Sequence, residues 1–194
     1  MTRQEGLQLF RSMHPNFFEQ ENIRNLPDEW IHDEMVLALD KFEPCRYDRR
    51  LDDNISFGCY QRDISLSDIS LRDMSEIIKA VERVDPNWPQ YYTEKQRIYC
   101  GYIDGKIASF CLIEDMGVHN LDGRKVKVGG PGCVGTLPEY RNKGIGLTMV
   151  KQVTQILKEE GYDYSYIHYT GVAPWYAKLG YQTSIRWTGK GILE

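Results

Sequence analysis

The rhythm of apolar and polar positions changes near residue 50. Before it, residues 2–42 are polar, with apolar side chains at helical intervals. The best-marked helix is expected after Pro27. Asp28 and Glu29 stand in its first turn, where carboxylates favour the positive end of a helix dipole, and Trp30, Met35, Leu37 and Leu39 form a broad apolar face. The charged cluster Arg46, Asp48, Arg49, Arg50, Asp52 and Asp53 marks an exposed connection.

From residue 55 the chain alternates strands and helices. Residues 55–60 predict a strand with Ile55, Phe57 and Cys59 on one face. Residues 68–84 predict a helix through Ile69, Met74, Ile77, Ile78 and Val81, stopped by Asp85-Pro86. Trp88, Tyr91 and Tyr92 follow as an aromatic loop, which either lines a substrate site or caps the sheet. Residues 97–103 and 106–113 flank Asp104-Gly105, a dipeptide suited to a type I′ hairpin turn. A polar loop is expected around 119–124, then a strand over 125–137 ended by Pro138. A helix over 141–160 carries Ile145, Met149, Val153 and Ile156 on one face, with Gly161 as its C-terminal glycine. A strand over 164–170, a short helix over 174–179 and a last strand over 181–188 complete the pattern. A hairpin run followed by a strand–helix–strand crossover implies an α/β (mixed α+β) fold around a central mixed sheet. The expected division is a helical extension over 1–50 and a mixed-sheet domain over 51–194.

Composition narrows the function classes. The 194 residues, 41% hydrophobic and 27% charged, suit one globular domain able to bury a core. A net charge of −4 argues against a general nucleic-acid binder. No run of apolar residues is long enough to span a membrane, and the start carries Arg3 and Glu5 rather than a signal-peptide core. Five cysteines, an odd number without a CxxC pair, read as reduced thiols in the cytoplasm. The four histidines have no metal-ligand spacing, so no metal is expected.

The most informative run is Cys133 to Met149, where a strand enters a glycine-containing loop that opens a helix. Unpaired N–H groups and the helix dipole make such a turn an anion site. Arg141 and Lys143 add charge, while Gly144 and Gly146 remove Cβ atoms where backbone must approach a ligand. The P-loop spacing is absent. A dinucleotide fingerprint lacks its third glycine after Gly144-Ile145-Gly146, and too little chain follows to complete that fold. The remaining pattern is R-x-x-G-x-G, Arg141 to Gly146.

This segment resembles motif A of the GNAT superfamily of N-acetyltransferases, including the lead-in Pro138-Glu139-Tyr140. Downstream, Trp175 to Tyr181 is similar to the superfamily's late Y-x-x-x-G-[FY] element. The resemblance covers roughly residues 55–187. It implies a GNAT-like central mixed, mostly antiparallel sheet flanked by helices, and acetyl-CoA as co-substrate. Val134, Gly135 and Thr136 fall where the family's strand meets the pantetheine arm. Arg141, Asn142, Lys143, Gly144, Ile145, Gly146 and Leu147 fall where loop and helix start hold the pyrophosphate. Tyr176 falls where many members place a phenol near the thioester sulfur. The implied reaction is direct attack of a primary amine on the thioester.

An ammonium group with a pKa of about 10 must lose a proton before attacking. Glu114, Asp115 and His168 are the base candidates, and the sequence leaves the choice open. Cys133 lacks a partner pattern for covalent catalysis and reads as a core thiol. Where many relatives carry an asparagine seven residues before the late tyrosine, this chain has Tyr169, which leaves that strand's cofactor contacts open. A small-molecule amine is the favoured acceptor over a protein. The N-terminal helices have two open uses, covering an acceptor groove or forming a homodimer interface. The alternatives are another acyl-CoA donor or a non-catalytic acyl-CoA-binding module.

Overall fold

The computed structural model describes residues 1–60 and 74–193. Residues 68–73 of the expected first α/β helix therefore lie outside the described residues. In chain order the helices are α1 (Arg3–Met13), α2 (Glu21–Arg24), α3 (Met74–Glu82), α4 (Ile145–Glu159) and α5 (Ala173–Ala177). The strands are β1 (His32–Ala38), β2 (Ile55–Cys59), β3 (Arg97–Ile103), β4 (Lys106–Leu121), β5 (Arg124–Thr136), β6 (Tyr164–Thr170), β7 (Gln182–Thr188) and β8 (Gly191–Leu193). The fold is mixed α/β, and its strand pairings are mostly antiparallel. The chain forms two compact units. One comprises Met1–Arg46, Asp115–Gly130 and Gln155–Glu194, the other Tyr47–Glu114 and Pro131–Thr154.

In the first unit, β5 pairs in parallel with β6 at Val128↔Tyr164 and Gly129↔Ser165. The region after Pro27 is not the expected helix. It forms β1, which lies between β6 and β7 and pairs antiparallel with both, for instance Val36↔Tyr166 and Val36↔Gln182. Residues Asp33 to Leu37 are all buried, as in a central strand covered on both faces. This pattern lacks the apolar–polar alternation that marks a half-buried strand, and the acidic pair Asp28-Glu29 imitates a helix start. The N-terminal segment is thus woven into the sheet of its own unit. Only α1 and α2 are α-helical within it, α1 opening on a capping box between Thr2 and Glu5. Leu9 packs with Val36, Val126, Val128 and Tyr166.

In the second unit, β2, β3 and β4 form an antiparallel run, with Ile55↔Ile103 and Arg97↔Ile113 in register. Asp104 (φ 49°) and Gly105 (φ 74°) make the expected hairpin turn. Ile77 and Val81 of α3 are fully buried against Ile98, Cys100, Phe110 and Leu112. The polar loop expected at 119–124 is shorter than read. Strand β4 continues to Leu121, and Asp122 (φ 49°) and Gly123 (φ 81°) repeat the same turn.

Candidate functional site

The site is built from the strand end, loop and helix start of the second unit. A single helical turn, Pro138–Tyr140, follows β5. Leu137 N–H donates to Ala108 O at 3.0 Å, and Arg141 Nε donates to Thr136 O at 3.1 Å, tying the loop back to the strand. Asn142 (φ 62°) and Gly144 (φ 85°) then both take left-handed conformations, reversing the chain into α4. A Cβ on Gly101 of β3 would stand 2.9 Å from Ile145 Cγ2, so the bare glycine is what lets the first residue of α4 seat there.

The loop is electropositive by construction. The bond from Thr148 N–H to Gly144 O (3.1 Å) closes the first turn of α4, and the amides of Ile145, Gly146 and Leu147 lie ahead of it at the open end. Left-handed residues in such a turn can gather its amides into an anion-binding concavity. Arg141 and Lys143 are exposed in the same loop. The structure adds Arg49, whose guanidinium donates to Asn142 O at 3.0 Å and whose Cδ lies 2.5 Å from where a Cβ on Gly144 would be. Lys151 Nζ fastens this segment by donating to Tyr47 O at 3.0 Å. Thr148 Oγ1 is buried and has no hydrogen-bond partner among the described residues. An open amide end, three cationic side chains and an unpaired buried hydroxyl in one turn fit a pyrophosphate.

Val134, Gly135 and Thr136 close β5 in the same unit as Arg141 to Leu147, so all ten expected cofactor residues belong to one compact unit. Cys133, just before them, holds φ 45°, a strained value for a residue with a Cβ. Its carbonyl accepts from the Tyr92 hydroxyl at 2.7 Å. Tyr92 is buried in the core and Trp88 packs against that core, while Tyr91 is exposed, so the aromatic loop caps the sheet. The Cys133 thiol is pushed up to about 12, by burial first and the Glu114 charge next. That is the opposite of an activated nucleophile.

Of the base candidates, Glu114 has its carboxyl group against Gly132: a Cβ there would stand 2.4 Å from Glu114 Cδ. Asp115 is occupied in a turn, its Oδ1 accepting from Gly117 N–H at 2.9 Å. His168 belongs to the first unit and serves its core. Its Nδ1 pairs with Oε2 of the fully buried Glu34 at 3.1 Å, and its ring stacks on His14 at 3.8 Å. Tyr169 N–H also donates to Glu34 Oε2, at 3.3 Å. Tyr176 lies in α5 of the first unit, buried, with its ring edge-on to Trp175 at 4.8 Å and to Tyr181 at 6.0 Å. The sequence does not show what Arg49 and Tyr92 contact. Arg49 stood in a charged cluster taken as a solvated connection, and Tyr92 reaches Cys133 across 41 residues.

A family model described as an acetyltransferase (GNAT) domain matches residues 73–184. Among solved structures, a GCN5-related glucosamine N-acetyltransferase region of a fungal multi-domain GH3 β-N-acetylglucosaminidase is 20% identical. It aligns with TM-score 0.62 over 83% of this chain and 20% of that one. A GCN5-related N-acetyltransferase from Sphaerobacter thermophilus is 18% identical, with TM-score 0.55 over 81% of this chain and 50% of that one. Another, from Kribbella flavida, is 14% identical, with TM-score 0.54 over 88% of this chain and 61% of that one. The chain thus spans less than two thirds of the length of each. No curated protein matches it.

Proposed function

The chain belongs to the GNAT acetyltransferase family, and from that premise we propose that it transfers an acetyl group from acetyl-CoA to a primary amine of a small molecule. The observation that carries this reading is the loop of Asn142 and Gly144, two left-handed residues that open α4 with its amides and cations gathered in one turn. Acetyl-CoA supplies the acyl group and a thiolate leaving group. Arg141, Lys143 and the amides of Ile145 to Leu147 hold its pyrophosphate. The backbone around Val134 stabilises the charge that develops on the thioester oxygen. Glu114 takes the proton from the acceptor ammonium, its placement against Gly132 favouring it over Asp115 and His168. Tyr176 returns a proton to the departing sulfur.

The test is thiol release from a panel of acyl-CoA donors against a panel of small amines. Acetyl-CoA is expected to be the best donor. Tyr176→Phe is expected to lower turnover by about a hundredfold, the lower range for a lost general acid, with acetyl-CoA binding unchanged. Acetyl-CoA binding without amine-dependent release from any acceptor would contradict catalysis and leave a binding module.

A further inference from the structure

Cys133 is held at φ 45° inside a strand, although a side chain disfavours that conformation by roughly 1–2 kcal/mol. Something must hold it there. The Tyr92 hydroxyl donates to Cys133 O at 2.7 Å, and Tyr92 is itself 2% exposed. Its ring stands edge-on to Phe110 at 5.6 Å and 90°. The Phe110 ring in turn lies 2.4 Å from where a Cβ on Gly135 would be, so the residue after Val134 is bare and covered by that ring. The phenol is therefore locked from behind by core aromatics and has one hydrogen to give, to the carbonyl of the strained residue.

A trans peptide is planar, with its C=O and N–H pointing in opposite directions. Fixing the Cys133 carbonyl toward the buried Tyr92 hydroxyl fixes the Val134 N–H on the side away from it. We propose that Tyr92 is a positioning residue that, through the Cys133 carbonyl, aims the Val134 amide at the acyl carbonyl of acetyl-CoA. The assignment rests on the acetyl-transfer reading above. Tyr92 touches neither substrate nor cofactor; it holds one peptide plane. A flattened strand at Cys133 would rotate that amide and lose the donor, while leaving the pyrophosphate loop, ten residues on, as it is.

The experiment is difference infrared spectroscopy of acetyl-CoA labelled with ¹³C at the thioester carbonyl, bound to wild type and to Tyr92→Phe, with acetyl-CoA hydrolysis followed by thiol release. In the wild type the carbonyl band is expected at lower wavenumber than in Tyr92→Phe, where it moves toward the unbonded position. Hydrolysis is expected to fall about tenfold to a hundredfold in kcat, at most the loss of one oxyanion donor, with KM for acetyl-CoA unchanged. Cys133→Gly, which keeps the Tyr92 bond and relieves the strain, is expected to keep the wild-type band; should Tyr92→Phe not fold, the wild-type band must still lie below that of free acetyl-CoA, and a band at the free position overturns the assignment. A band that stays put in folded Tyr92→Phe, or moves in Cys133→Gly, overturns the role of Tyr92 alone. No acetyl-CoA binding by the wild type overturns the acetyl-transfer reading and this assignment with it.

Discussion

The loop that opens α4 and the strand β1 are held in opposite ways. Around Arg141 to Leu147 the structure is set by backbone: two left-handed residues, a bare Gly101 beneath Ile145, and carbonyls of Thr136 and Asn142 that accept from arginines. Its cationic side chains, Arg49, Arg141 and Lys143, are exposed. In β1 the two carboxylates, Asp33 and Glu34, are consumed inside the fold. Trp187 Nε1–H donates to Glu34 Oε1 at 2.8 Å, while Tyr169 N–H and His168 Nδ1 share Oε2. Arg186 Nε donates to Asp33 at 2.8 Å. A buried carboxyl group surrounded by satisfied partners is a structural anchor; a cationic turn with open amides is a place for a ligand. Charge alone does not distinguish the two, but where its partners lie does.

The contrast can be attacked first at its strongest point. Glu34→Ala strips the carboxylate partner from the fully buried Trp187 indole, and should cost about 3 kcal/mol of stability, with unfolding by urea as the measure. A loss no larger than that of an ordinary surface change would mean that Glu34 is not the anchor. The second test is pH. Burial, and then the neighbouring His168, lowers the pKa of His14 from 6.5 to about 4. Between those values the unfolded chain binds a proton that the folded chain refuses. This contribution is complete above pH 6.5 and is lost as pH falls toward 4. His32 is shifted in the same direction by burial. His14→Gln should flatten that part of the urea-midpoint profile, and an unchanged slope would contradict it. The smallest effect belongs to the loop. Thr148→Val removes a hydroxyl without a partner among the described residues, so stability without ligand should hold or rise by up to about 1 kcal/mol. The thermal shift with coenzyme A should shrink. A clear loss of stability without ligand would show that the hydroxyl is used within the fold.

What could be read from sequence follows the same division. The Asp104-Gly105 turn is specified by neighbours a few residues apart, and the structure forms it as expected; the helix expected from Arg141 starts at Ile145, with residues 141–144 as the loop ahead of it. The Asp122-Gly123 turn carries the same dipeptide signal, with Asn120 Oδ1 accepting from Gly123 N–H at 2.9 Å. It was hidden because β4 past Glu114 is half exposed and rich in polar residues. Strand β1 was read as helix because its two-sided burial depends on β6 and β7, more than a hundred residues away. Tyr92 and Arg49 belong to this class too. Their partners, Cys133 O and Asn142 O, are brought to them only by the fold.

The most direct test of the central claim is a thermal-shift titration with coenzyme A, acetyl-CoA, NAD and ATP on the wild type and on Gly144→Glu. The substitution puts a side chain and a negative charge at a left-handed position (φ 85°) in the middle of the cationic turn. Stabilisation of the wild type by coenzyme A and acetyl-CoA at concentrations where NAD and ATP do nothing, lost in a folded Gly144→Glu, is the expected result. Equal stabilisation of both proteins, or no response of the wild type to either coenzyme-A ligand, would contradict the assignment of this loop as the cofactor site.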